Sequence, residues 1–262
     1  TNFRNLSGAS NDVDVTKLSL TGEGNNSYTL TGASVEITSA TAFTVTLSET
    51  DLINVNGLLN KNGTSAEDTV TYNLAAADDW MPAALSATDI ADATATVTVS
   101  SVNTPSITSI TYDYDTGIVT VTGLNFVKKF GAANDVDISL LTFTGENGAT
   151  YTLTSATDIE ITSSTSFTFT LTGADLTGVN ALVTANGTTA GSGTTYNVSA
   201  ADNWMAGTAI STNIADTTGN TITVSNAPTP TSTSAAYDAT TGTLVVTGSS
   251  FVAKSGALND VA

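Results

Sequence analysis

The chain repeats itself with a fixed step, and no other feature limits its possible folds as strongly. Trp80 and Trp204 lie 124 residues apart, as do Tyr72 and Tyr196. Phe3 and Phe126 are separated by 123, and Phe126 and Phe251 by 125. Thr1-Asn2-Phe3 followed by Asn11-Asp12-Val13-Asp14 returns as Leu124-Asn125-Phe126 followed by Asn134-Asp135-Val136-Asp137. It begins again as Ser249-Ser250-Phe251 with Asn259-Asp260-Val261. A step of this length matches one ordinary domain, so 262 residues are expected to hold about two units, each able to bury a core. The expected division is 1–104, a repeat lacking its first hairpin; 105–228, a complete repeat; and 229–262, the opening hairpin of a third. A chain cut out of phase with its repeat reads as a window on a longer array.

Within the repeat the apolar period is mostly two. Ser166 to Thr172 places Phe167, Phe169 and Leu171 on one face and threonines on the other, the mark of a half-buried strand. Residues 106–112 and 118–122 flank Asp113-Tyr114-Asp115-Thr116-Gly117, turn residues that predict a hairpin. A second hairpin is expected around Gly145-Glu146-Asn147-Gly148, and further strands over 158–162, 194–198 and 220–225. The period changes at Ala174, Leu176, Val179, Leu182 and Val183, which predicts a short helix ended by Asn186-Gly187. Its counterpart is expected over 50–60. Residues 200–204 read as one helical turn before Trp204. Seven or eight short strands with turns between them predict an all-β fold of sandwich type with short helical insertions. Proline-bearing linkers at 102–105 and 226–230 should hold successive units in a fixed, extended relation.

Composition narrows the function. Six Lys and Arg stand against 24 Asp and Glu, with no His and no Cys, for a net charge of −18. Only 11% of residues are charged while 53 are threonine, so hydroxyls must cover much of the surface. Such a surface repels nucleic-acid phosphates and anionic lipid and attracts divalent cations. No apolar run reaches the ~20 residues of a membrane span. Without His or Cys there is no Ser-His-Asp or Cys-His set. The paired acids Glu23/Glu36 and Glu146/Glu160 recur in both repeats, but nothing in the sequence builds a pocket around them, so no enzyme is expected. An acidic, cysteine-free, Thr-rich chain fits an extracellular or cell-surface protein of bacterial or archaeal type. Thr-rich strand edges are templates for pairing with other chains.

The run from Ile107 through Tyr112-Asp113-Tyr114-Asp115-Thr116-Gly117 to Leu124-Asn125-Phe126, matched again over 231–251, resembles the opening strands of bacterial immunoglobulin-like repeats. Those repeats stand in tandem in giant surface, S-layer and adhesin proteins. The resemblance implies tandem Ig-like β-sandwich domains in an extracellular stalk, sheath or lattice, often ordered by calcium. The helical insert and the Trp-bearing turn depart from a minimal domain of that kind.

Hard cations take six to eight oxygens from carboxylates, Asn amides and carbonyls. The expected calcium ligands are Asn11, Asp12 and Asp14, their counterparts Asn134, Asp135 and Asp137, the third copy Asn259 and Asp260, and Asp113 and Asp115 in the hairpin turn. The same residues also suit Asx-turns that close loops. Trp80 and Trp204 suit core anchors, or platforms for a surface carbohydrate. The expected function is a structural repeat module of an extracellular self-assembling layer, sheath or filament, calcium-stabilised, whose partners are copies of itself or neighbouring repeats. The alternative is the rigid stalk of a bacterial adhesin whose binding head lies elsewhere.

Overall fold

In the computed structural model, residues 3–84 and 87–251 are described. Among these residues the fold is mostly β-strands in several sheets, with two α-helices. In the first repeat β1 (Leu18–Thr21) pairs antiparallel with β2 (Ser27–Thr29), and the sheet continues through two later strands, 73–76 and 92–96, once the chain returns. Between them lie β3 (Ile37–Ser39), β4 (Ala42–Phe43) and helix α1 (Glu49–Leu58); then come β5 (Asn73–Ala76) and β6 (Asp92–Thr96). Leu18 and Leu20 face inward and Ser19 and Thr21 outward, as a period of two dictates. Helix α1 starts where the Ser48 hydroxyl accepts from the Asp51 N–H at 3.1 Å, a side-chain N-cap.

The second repeat runs β7 (Ser106–Asp113), β8 (Ile118–Leu124), β9 (Leu141–Thr144), β10 (Thr150–Thr152), β11 (Ser166–Thr170), α2 (Gly173–Asn180), β12 (Asn197–Ala200) and β13 (Ile222–Ser225). One sheet has the order β11-β8-β7-β13 and the other β10-β9-β12. The β13–β7 pair is parallel, while the other strand pairs are antiparallel. Val119, Val121, Phe167 and Ile222 of one sheet share a core with Leu141, Phe143 and Val198 of the other. Two further strands, β14 (Thr231–Asp238) and β15 (Thr243–Ser249), form a hairpin that pairs with no other strand among the described residues.

Two local expectations change. Residues 158–162 form a single bridge, Val136 to Ile159, rather than a strand. The Ile161 N–H is committed to the Asp135 carboxylate at 2.6 Å, so a side chain takes the donor a strand ladder would need. Of residues 200–204, Ala200 ends β12 and the rest form a turn, not a helical one. Asn203 sits at φ 62°, and Asp202 accepts from its N–H and from the Ile214 N–H, both at 2.9 Å. Both expected helices are present, each within a few residues of its predicted ends.

The two repeats touch through α1. Ile53 is 2% exposed and belongs to the core of the second repeat, not the first. Its carbonyl accepts from the Lys128 N–H at 3.1 Å. Glu49 accepts from the Ser164 N–H at 2.5 Å, and Glu67 from the Ser211 hydroxyl at 2.9 Å. A side chain on Gly57 would put its first carbon 1.6 Å from the Lys128 carbonyl oxygen, so only glycine allows this approach. The linkers are held as well: Asn62 accepts from the Val102 N–H at 3.0 Å, and Asn186 from the Ala227 N–H at 2.8 Å.

The hydrogen bond from the Ser164 amide holds the Glu49 carboxyl below its usual value. A lowered folded value stabilises the fold above the unfolded pKa of about 4.3 and loses that support as pH falls through the folded value. The stability difference between the wild-type chain and Glu49→Gln should therefore be positive near neutrality and shrink below about pH 4. Urea melts of both proteins across that range measure it; a difference independent of pH would show that the bond contributes nothing.

Candidate functional site

The most chemically distinctive places are the two Asn-Asp-Val-Asp loops. In each, the valine is fixed first: Val13 bridges Val35, and Val136 bridges Ile159. This turns the preceding aspartate inward. Asp12 and Asp135 are both 0% exposed. Asp12 accepts from the Leu6 N–H at 2.6 Å, the Ile37 N–H at 3.0 Å and the Asn5 side-chain amide at 3.3 Å. Asp135 accepts from the Lys129 and Ile161 N–H groups, each at 2.6 Å. Each buried carboxylate ties two distant loop segments together through backbone amides that would otherwise go unsatisfied.

Their protonation moves in opposite directions. The bond from the Leu6 amide is the main reason that Asp12 lies below the usual carboxylate range. Burial pushes Asp135 up, against its two amide bonds. The larger core of the second repeat encloses Asp135, whereas the first repeat has a smaller buried cluster. The outer acids of the motif do a different job. Asp14 accepts from the Thr16 N–H and hydroxyl at 3.0 and 2.6 Å, and Asp137 from those of Ser139 at 2.9 and 2.6 Å. Both are N-caps of short 3-10 turns.

Asn11 and Asn134 donate to the Ser7 and Phe130 carbonyls at 3.3 and 3.0 Å. Their side-chain oxygens are buried without a hydrogen-bond partner. Gly8 and Gly131 stand opposite them at φ 130° and 120°, a backbone region that favours glycine. In the hairpin turn, Asp113 accepts from the Asp115 and Thr116 N–H groups, each at 3.1 Å, and from Asn226 at 2.9 Å. The bond from Thr116 leads the effects that lower its pKa. Asp115 is exposed. Asn259 and Asp260 lie outside the described residues. Among the described residues no three acidic side chains converge as a ligand set. A cation at these loops would have to use carbonyls and the unpartnered oxygens of Asn11 and Asn134.

The paired acids are structural fasteners. Glu23 accepts from the Glu67 N–H at 3.0 Å, and Glu146 from the Ser192 N–H at 3.3 Å. Glu36 accepts from the Asn11 N–H at 2.9 Å, while Glu160 takes the Ala133 N–H at 2.6 Å and pairs with Lys128. Trp204 is 0% exposed and donates to the Ile214 carbonyl at 2.9 Å, so it presents no face to a sugar. Trp80 makes the matching bond to Ile90 but is only half-buried.

Sequence reasoning missed a second pair of buried aspartates, Asp51 and Asp175, in the first turn of each helix. Asp51 accepts from the Tyr28 hydroxyl at 2.9 Å and from the Thr31 N–H and hydroxyl at 2.9 and 2.8 Å. Asp175 accepts from the Tyr151 hydroxyl at 3.0 Å, from the Thr154 N–H and hydroxyl at 2.8 Å each, and from the Ser155 N–H at 3.0 Å. Burial raises both carboxyls, but the Thr, Tyr and backbone donors outweigh it and leave them below the usual range. The set clamps helix to hairpin. Its signal was available: Tyr28, Thr31 and Asp51 recur as Tyr151, Thr154 and Asp175.

Comparison with known proteins finds no match to the chain among protein families, curated proteins or solved structures. Acids committed to backbone amides, and a tryptophan sealed in a core, equip these loops to hold shape.

Proposed function

We propose that the chain is a structural repeat module of an extracellular, self-assembling surface layer, sheath or filament, built from Ig-like β-sandwich units. One observation carries this reading. Ile53 leaves its own repeat and fills the core of the next, with Gly57 allowing backbone contact behind it. Burying such a side chain contributes about 1.5–3 kcal/mol. Investment of that kind in the relation between repeats suits a protein whose product is a fixed spacing. The polar, Thr-rich surface and the net charge of −18 suit an exposed location.

The test is electron microscopy and light scattering of the purified chain over a range of concentrations. Polymers or sheets are expected. A monomeric rod at every concentration would overturn assembly and place the chain with adhesin stalks. Calcium belongs to the same proposal, through the Asn11 and Asn134 loops. It is expected to raise the melting temperature, and EDTA to reverse the rise. A melting curve indifferent to both removes calcium from the reading and leaves the assembly part standing.

A further inference from the structure

The joint between the two repeats encloses a cleft of about 430 Å³. Its walls are the C-terminal end of α1 with the segment that follows it, the 99–105 linker, and residues 207–212 of the second repeat. Boundaries between units are common places for ligand pockets, and this volume lies within their usual range of about 300–1,000 Å³. The walls are held in place by bonds within the chain. Ile53 is anchored in the second core, and Glu67 accepts from the Ser211 hydroxyl. The linker is fixed from both repeats: Asn62 accepts from the Val102 N–H, and Asn125 donates to the Thr104 carbonyl, each at 3.0 Å.

The lining differs from the rest of the chain. Among the described residues that form it, five are asparagine and none is Asp or Glu, although the chain carries 24 acids. A divalent cation therefore finds no carboxylate here. An anion finds no uncommitted cation either, because Lys61, the one charged residue of the lining, is paired with Glu67 at 3.4 Å. What remains is neutral hydrogen-bonding capacity. Asn62 commits its oxygen to Val102, and Asn125 its amino group to Thr104. The amino group of the first and the oxygen of the second have no partner among the described residues. Asn103 lies exposed in the linker between them. Val127, at 7% exposure, and Val102, at 37%, add apolar surface.

We propose that this cleft binds a neutral saccharide of one or two rings. A sugar hydroxyl both donates and accepts, so a vicinal pair answers a lone amino group and a lone amide oxygen together. The C–H face of the ring suits the two valines, and an uncharged ligand needs neither a carboxylate nor a free ammonium. Trp204 is sealed in its core, so the joint supplies what the tryptophan does not. Asn62 belongs to the first repeat and Asn125 to the second, so a bound sugar bridges the two and stiffens the joint. The site is internal to one chain and does not depend on assembly.

Saturation-transfer NMR tests this, because it reads the sugar and works on monomer and polymer alike. The probes are maltose, cellobiose and diacetylchitobiose, each titrated against the whole chain. At least one should give a saturable signal. Asn62→Asp keeps the oxygen that Val102 uses and removes the amino group, so affinity should fall at least about tenfold. Thr104→Trp fills the cleft and leaves the Thr104 carbonyl to Asn125, so binding should be lost while the melting temperature stays unchanged. The uronic-acid counterpart of the best binder should bind more weakly. No saturable signal from any of the three sugars overturns the site. A signal that survives both substitutions places the sugar elsewhere and overturns it equally, and equal binding of the uronic acid overturns the neutral class.

Discussion

Trp204→Ala is expected to destabilise the second repeat by about 3–5 kcal/mol, while Trp80→Ala costs the first repeat markedly less. The two tryptophans occupy the same position in their repeats and make the same indole bond, to Ile214 and to Ile90, at 2.9 Å each. Phe126 meets Trp204 edge-on at 5.8 Å, and Phe3 meets Trp80 in the same way at the same distance. What differs is enclosure: Trp204 is 0% exposed, and Trp80 is half-buried. Truncating a sealed indole loses its transfer energy and leaves a cavity, whereas a half-open site gives up less contact and can collapse or hydrate. Urea unfolding followed by far-UV circular dichroism measures both losses. Equal losses would show that the first repeat is as closed as the second.

Much of this was legible in the residues. The alternation of Phe167, Phe169 and Leu171 with threonines gave β11, and the Asp113–Gly117 turn gave the β7–β8 hairpin, because period and turn chemistry are local properties. The roles of Asp12 and Asp135 were not legible, because an Asn-Asp pattern serves a cation or a set of backbone amides equally well. Only the fold shows where the amides of Leu6, Ile37, Lys129 and Ile161 lie. The shortness of β4 was hidden for a related reason. Residues 42–46 carry a strand pattern, yet strand structure also depends on a neighbour, and the matching strand β11 is held along its whole length by β8. Ile53 was the most easily misread, since an apolar residue on a short helix looks like part of its own core. The clue was a broken repeat: Ile53 and Gly57 are replaced by Thr177 in α2 and Ala181 at its C-cap. Where two repeats diverge at an otherwise matched element, the residue can be serving a contact outside its own unit.

Ile53→Asp should separate the two repeats without unfolding the first. The side chain sits in the second core at 2% exposure among apolar side chains, and the neighbouring Lys128 ammonium is already paired with Glu160. Burying an unpaired charge costs several kcal/mol, more than the contact supplies, so α1 should lift from the second repeat. The first repeat loses little, because Ile53 contributes nothing to its buried cluster. Lifting α1 also breaks the bonds from Lys128 to Ile53 and from Ser164 to Glu49, leaving the linker and the Ser211–Glu67 bond to set the spacing. Calorimetry should then resolve two transitions where the wild-type chain gives coupled unfolding, and small-angle scattering should show a broader range of shapes. Ile53→Thr, the residue α2 carries at this place, is the milder test. It removes apolar contact without adding charge and should weaken the coupling by about 1–2 kcal/mol. If both variants keep the wild-type melting profile and the wild-type scattering curve, α1 is not what holds the repeats in register, and the fixed spacing must come from the linker and the Ser211–Glu67 bond.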